Sequence, residues 1–457
     1  MTVQHIKTLK SRDLTLFTVS AILLLDTLAA AASVGVSSIF WWLFLAVIFF
    51  LPFGLISSEM GTTYPEQGGV YAWVRNAFGK RWGSRISWAY WVNTALWNPS
   101  IFILFAGVFK QLFAPNLSLT WQIVIGIALS WISVIINIVT LKVGKWVPNV
   151  GAIFKLIIFA TLILGGLNYV QDNGMANEIT MDTLMPTWSG SLEYIPAIIY
   201  GMLGFELMCA SSDEIKNPAK DIPKATLISG CIILLFYTLG TLAILAAVPV
   251  ADVNLVEGLV DTLTLFFGGS TFGTAFVTIL GIAALYTFLS NGVTWAMGCN
   301  RAMSEAALDG ELPKFLGKTH PQSGTPVGAA IAMGILSTLV LLFYGIIASS
   351  NEDLFWSLFS FSAVIFLLTY IGMMLAFLKL RKVDAERHRP FRIPGGSWLP
   401  KLSAYSCLSV ILLALVLFIW IPEEGMQWPV FLGTVVTMLL GEALVRKAEK
   451  EKIKSKT

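Results

Sequence analysis

Charge is what this chain has least of: only 12% of its 457 residues are Asp, Glu, Lys or Arg. A soluble domain carries about a quarter of such residues, so an ordinary soluble fold is excluded. The formal net charge of +3 gives no reason to expect a nucleic-acid partner. Histidine is scarce, and His5, His320 and His388 all lie in polar segments. The four cysteines, Cys209, Cys231, Cys299 and Cys407, sit in or beside apolar runs without any CxxC spacing. They read as small packing residues rather than disulfides or ligands. No metal site assembles from this set, and no cofactor is expected. Long polar segments are missing too. Those around 301–325 and 379–401, about 25 residues each, are too short to fold alone. No cleavable signal is read at the N-terminus, where Lys7, Lys10 and Arg12 precede an apolar stretch too long for one.

What is present is apolar. Hydrophobic residues make up 56% of the chain and the mean hydropathy is +0.76. A span needs about 20 mostly apolar residues. On that measure the fold class is an all-α integral membrane protein with about twelve helices. They fall near 14–37, 39–60, 84–112, 119–141, 147–169, 191–211, 225–249, 271–299, 326–348, 354–380, 402–421 and 427–445. The whole chain, 1–457, is read as one membrane domain.

The loops alternate in charge. One set carries Lys7, Lys10 and Arg12, then Arg75 to Arg85, Lys142 and Lys145, Lys216 to Lys224, Arg301 to Lys318, Arg381 to Arg392 and a lysine-rich tail. The other set holds Asp172, Glu178, Asp182, Asp252, Glu257, Asp261, Glu352, Asp353, Glu423 and Glu424. Positive loops stay inside, which predicts a multi-pass protein of the cytoplasmic (inner) membrane with both termini in the cytoplasm.

Two spans carry interruptions. In the first, the residues from Ala29 to Ser38 are almost all small, around Gly35. In the sixth, Gly201 and Gly204 precede Glu206. Small residues also serve plain helix packing. As a pair, however, the segments open successive blocks of five spans, and the second block enters from the opposite side. Matching interrupted helices in inverted halves point to a transporter's central site. The halves are expected at about 14–169 and 191–380, with extra helices at about 402–445. Unwound backbone there offers N–H groups to a carboxylate and carbonyls to an ammonium.

Few ionisable residues lie within the spans, and each is costly at that depth unless paired or hydrated. Glu206 is a candidate to exchange a proton or sense an ammonium; the alternative is a protonated acid holding two helices together. Lys155, in the fifth span, either snorkels or places its ammonium where other transporters hold sodium, against carbonyls freed at the first break. Asp26 precedes the first break, and either pairs with Lys155 or faces an inner vestibule that attracts cations. Asp213 and Glu214 end the sixth span as solvated or gating charges. Asn93, Thr94 and Asn98 share one broad face of the third span and need partners, either neighbouring helices or a ligand.

These stretches resemble the amino acid–polyamine–organocation superfamily over essentially the whole chain, and within it the glutamate/GABA-antiporter branch. The resemblance is carried by SVGVSS, FGLISSEMGTTYPEQGGVYAWVRNAFG, GFELMCASSDEIKNPAKDIPKA and NRAMSEAALDGELPKF. It implies two inverted five-helix repeats with broken first and sixth helices, two further helices, and alternating access. By that resemblance Ser33, Val34 and Gly35 receive a substrate carboxylate. The carbonyls near Tyr200, Gly201 and Met202, with Gly204, receive its amine. Asn93, Thr94 and Asn98 form the side-chain pocket, and Lys155 matches the lysine of sodium-independent members. Glu206 matches a sixth-span glutamate, while Val293 falls where a family member has a tryptophan gate. The usual GSG triplet is read as replaced by Ser33-Val34-Gly35, and the short tail argues against the branch's acid-gating plug.

The function expected is sodium-independent secondary transport of amino acids or their decarboxylated amines, by exchange or proton coupling. The alternatives are an amine-specific antiporter and a transport-inactive sensor of the same fold. A channel lacks its continuous polar lining, and an enzyme lacks a nucleophile–base pair in the spans. The partners expected are small amines or amino acids and the lipid bilayer; a homo-oligomer is left open.

Overall fold

The computed structural model describes residues 9–139, 146–186, 194–422 and 425–454. His5, Lys7, Lys142, Lys145, Glu423, Glu424 and the Asp213 side chain, all used in the sequence reading, lie outside the described residues.

Among the described residues, ten helices are long and apolar enough to cross a membrane, and a bent pair makes an eleventh span. In chain order, span 1 is the pair Ser11–Ile22 and Leu25–Ser33, bent by 45°. Spans 2 to 5 are Ser38–Thr63, Lys80–Phe113, Leu119–Val139 and Trp146–Asn173. Span 6 is discontinuous: Ile195–Tyr200, a connector from Gly201 to Gly204, then a 3₁₀ stretch over Phe205–Glu214. Spans 7 to 10 are Pro218–Ala247, Thr271–Leu308, Val327–Ile347 and Asn351–Val383. Spans 11 and 12 are Trp398–Ile419 and Trp428–Lys454. The protein is an all-α membrane protein.

Burial sorts the spans into walls and rim. The apolar window of span 3 is 89% buried and that of span 10 is 72% buried, against 22% for span 12. Spans 3 and 10 therefore line the interior, and span 12 faces lipid. Outward side chains such as Val47, Leu164 and Ile346 make the apolar belt that a bilayer requires.

The break in span 1 is not where the small residues predicted it. The alanines from Ala29 to Ala32 continue the second half-helix, because alanine is the best helix former. Gly35, at φ +85°, instead makes the turn into span 2, closed by Val34 and Gly35 N–H bonds to Ala31 and Ala32. The helix opens at Leu23 and Leu24, whose backbones are extended. Ser33, Val34 and Gly35 therefore lie about 14 Å further along the span, at 1.5 Å per residue. In span 6 the break does fall on glycine, and Gly204 adopts φ +130°.

Several short elements had no counterpart in the sequence reading. Val70–Phe78 and Gly258–Phe267 are helices within connecting loops, and Trp420–Ile421 pairs with Gly425–Met426 between spans 11 and 12. Span 2 also contains a π-helical turn over Ala46–Phe50, just before Pro52. Proline has no N–H, so the Ile48 carbonyl four residues earlier loses its helical partner. Ser406 of span 11 donates to that carbonyl instead.

On the side carrying the N-terminus, several charges tie the spans together. Leu9 pairs in parallel with Ile215, with its N–H on the Glu214 carbonyl at 3.0 Å. Arg301 donates to Glu214 at 2.7 Å. Glu59 is 1% exposed and accepts two bonds from Arg381, at 2.7 and 2.8 Å, and one from the Ile393 N–H at 2.8 Å.

Candidate functional site

A helix that stops inside a membrane leaves carbonyls without partners. At Ile22 the chain supplies those partners from three other spans. Lys155 of span 5 donates to the Ser20 carbonyl at 2.6 Å and to Asn291 Oδ1 at 2.7 Å. Trp295 Nε1 of span 8 donates to the Ala21 carbonyl at 3.0 Å. The Tyr237 hydroxyl of span 7 donates to the Ile22 carbonyl and accepts the Leu24 N–H at 2.8 Å. This explains a break without glycine: the donors come from residues distant in sequence, and the backbone between them is extended. Lys155 is 1% exposed, and its bonds to Ser20 and Asn291 show that it does not snorkel. It makes no ion pair with Asp26 within 4.0 Å, among the described residues.

Asp26 lies in the first turn of the second half-helix, where N–H groups point outward. It is 5% exposed, and its Oδ1 has no hydrogen-bond partner.

Span 6 crosses at this point. A Cβ on Gly201 would stand 2.6 Å from Thr27 Cγ2, and one on Gly204 would stand 3.0 Å from Ile22 Cγ1. The two interruptions are thus in backbone-close contact, which only glycine allows. Past the break, Glu206 Oε1 accepts from the hydroxyls of Tyr90, at 2.9 Å, and Tyr370, at 2.7 Å. Its Oε2 is buried without a partner. Tyr200 and Met202 are buried, and Tyr200 rests edge-on against Phe359.

Gly204→Ala is expected to lose most of the folded protein. Alanine resists φ +130°, and its methyl would press on both Ile22 and Trp295. Size-exclusion yield from detergent checks it; a monodisperse peak at wild-type yield would contradict this packing.

The third-span residues divide. The Asn93 amide donates to the Ser362 carbonyl at 3.0 Å, and the Tyr200 hydroxyl stands 3.5 Å from it. Thr94 meets Cys299 Sγ at 2.9 Å. Asn98 instead bonds to the Gly292 carbonyl at 3.3 Å and lines a small cavity with Ser130, Ser133 and Ser337, between spans 3, 4, 8 and 9. The structure does not bring Ser33, Val34 or Gly35 to the crossing; Ser33 Oγ bonds to its own helix at Ala29. Val293 is fully buried, and the tryptophan at the crossing is Trp295, two residues on. Trp295 packs edge-on against Phe366 at 5.2 Å.

Sequence reasoning missed Tyr90, Tyr237, Asn291, Trp295 and Tyr370. Their one signal is a hydrogen-bonding tip inside an apolar run, which tyrosine and tryptophan also show at membrane surfaces.

Comparison with known proteins agrees with this architecture. The model of one family, described as amino acid permease, matches residues 9–440. A probable agmatine/putrescine antiporter, AguD, of Lactococcus lactis subsp. lactis (strain IL1403) is 35% identical over 92% of this chain and 91% of its own length. The glutamate/gamma-aminobutyrate antiporter of the same strain is 24% identical, over 78% of this chain and 73% of its own. A polyamine transporter of Oryza sativa subsp. japonica, PUT1, is also 24% identical, over 79% of this chain and 64% of its own. With the family model matched over residues 9–440 and a fold that carries both interrupted spans, the chain belongs to the amino acid permease family of membrane transporters.

Proposed function

We propose that this protein is a sodium-independent antiporter for amino acids or their decarboxylated amines, with cationic amines favoured. The observation that carries the reading is the crossing itself: two interrupted spans in contact, fringed by Asp26 and Glu206, each with a buried carboxylate oxygen lacking a partner. Such oxygens suit an ammonium or a guanidinium. The relative named as an agmatine/putrescine antiporter supports the same direction.

Sodium independence follows from Lys155. Its ammonium bonds to the Ser20 carbonyl, one of those that a metal cation at this break would need. Both termini lie in the cytoplasm, on the side where Arg301 closes on Glu214. The inverted halves, about 14–169 and 191–380, alternate access as spans 1, 2, 6 and 7 rock against the rest. Each rocking step exchanges the side-chain bonds that Lys155 and Trp295 make to span 1, while Tyr237 of span 7 moves with it.

Counterflow in proteoliposomes tests this reading. Vesicles loaded with unlabelled amines or amino acids should take up labelled substrate saturably, at equal rates in sodium and in choline. Uptake that requires sodium removes the role given to Lys155; binding without any trans-stimulation points to a sensor.

A further inference from the structure

The amino end of Leu25–Ser33 is the place in this crossing where a half-helix can hold a carboxylate, through its first N–H groups and its dipole. That place is already taken by the chain. Asp26 sits in the first turn, where its negative charge meets the positive end of the half-helix. It is 95% buried, since only 5% of the residue is exposed, and its second oxygen has no partner. Lys155, a buried cation of the neighbouring span, bonds to Ser20 and Asn291 and acts on Asp26 only through space. Across the contact stand Gly201, whose backbone touches Thr27, and then Glu206, whose own second oxygen is equally bare.

We propose that Asp26 is a specificity-determining residue that takes the position of a substrate α-carboxylate, so that the site accepts a decarboxylated amine and rejects the amino acid from which it derives. The inference rests on the exchange function proposed above. An α-carboxylate entering this crossing would meet a second carboxylate where water is excluded, and like charges in such a place repel strongly. An amine lacking the carboxylate avoids that repulsion. One cationic end faces Asp26 and the rest of the molecule lies toward Glu206. A diamine or a guanidino-amine therefore suits both bare oxygens, whereas a neutral zwitterion suits neither.

The test compares matched pairs, arginine with agmatine and ornithine with putrescine, in counterflow with the full-length protein in proteoliposomes. Wild-type protein is expected to prefer each amine over its parent amino acid by at least a hundredfold in apparent affinity. Asp26→Gly, which reopens the helix end, is expected to shrink that ratio at least tenfold, as is Asp26→Asn. Wild-type protein that handles arginine as well as agmatine overturns the proposal, and so do variants that weaken both members of a pair equally. Should wild-type protein exchange none of the four, the antiport reading itself fails. Thermal stabilisation of the purified wild-type protein by each probe then decides the present inference separately. Stabilisation by agmatine and putrescine alone upholds it, while stabilisation by the amino acids, or by none of the probes, overturns it.

Discussion

Lys155→Met is expected to lower exchange at least a hundredfold while leaving a folded, monodisperse protein. Methionine keeps most of the stem and packs in the same apolar space, so the loss isolates the ammonium. Without it, the Ser20 carbonyl and Asn291 Oδ1 both lose a charge-assisted donor in the membrane interior. A buried acceptor left alone costs about 1–3 kcal/mol, and each of these must find a substitute. The first half of span 1 can then unwind further or shift, and the crossing with Gly204 is displaced through Ile22. Counterflow of the variant beside the wild type is the measurement. A rate within twofold of wild type would show that this ammonium is a structural accident.

Glu206→Gln is expected to raise the half-saturating amine concentration about thirtyfold, because a charge-assisted bond is worth about 2 kcal/mol. The glutamine oxygen still accepts from Tyr90 and Tyr370, which preserves the local packing. Only the negative charge is lost. Size-exclusion behaviour should match the wild type, and a titration of counterflow against agmatine reads the shift. An unchanged half-saturating concentration would leave Glu206 as a helix fastener, the bland reading that its two tyrosine bonds also allow.

How legible the protein was in its sequence depends on the range of the forces involved. The spans are long apolar runs, and hydropathy alone sets them, so the architecture could be read residue by residue. The break in span 6 was legible because Gly204 must reach φ +130°, and that local demand writes a glycine into the chain. The break in span 1 was not. Leu23 and Leu24 carry no mark of it, since the cause lies in Lys155, Tyr237 and Trp295, which the sequence separates from the break by well over a hundred residues. The small residues around Gly35 misled for the same reason: they describe a turn and close packing, not an opening in the helix. Buried charges fared better, because Asp26, Lys155 and Glu206 each interrupt an apolar run. Asn98 shows the limit of that signal, as it lines a cavity between spans 3, 4, 8 and 9 and bonds to the Gly292 carbonyl.

The π-helical turn in span 2 bears on how small such a carrier can be. The two last helices stand outside the expected repeats, which makes them the first candidates for trimming in search of a minimal version. Yet Ser406, on the first of them, answers the Ile48 carbonyl that Pro52 leaves open. Truncation after span 10 would turn that carbonyl toward hydrocarbon, where an unsatisfied group costs several kcal/mol. A shortened chain therefore has to give up its proline before it can give up its tail.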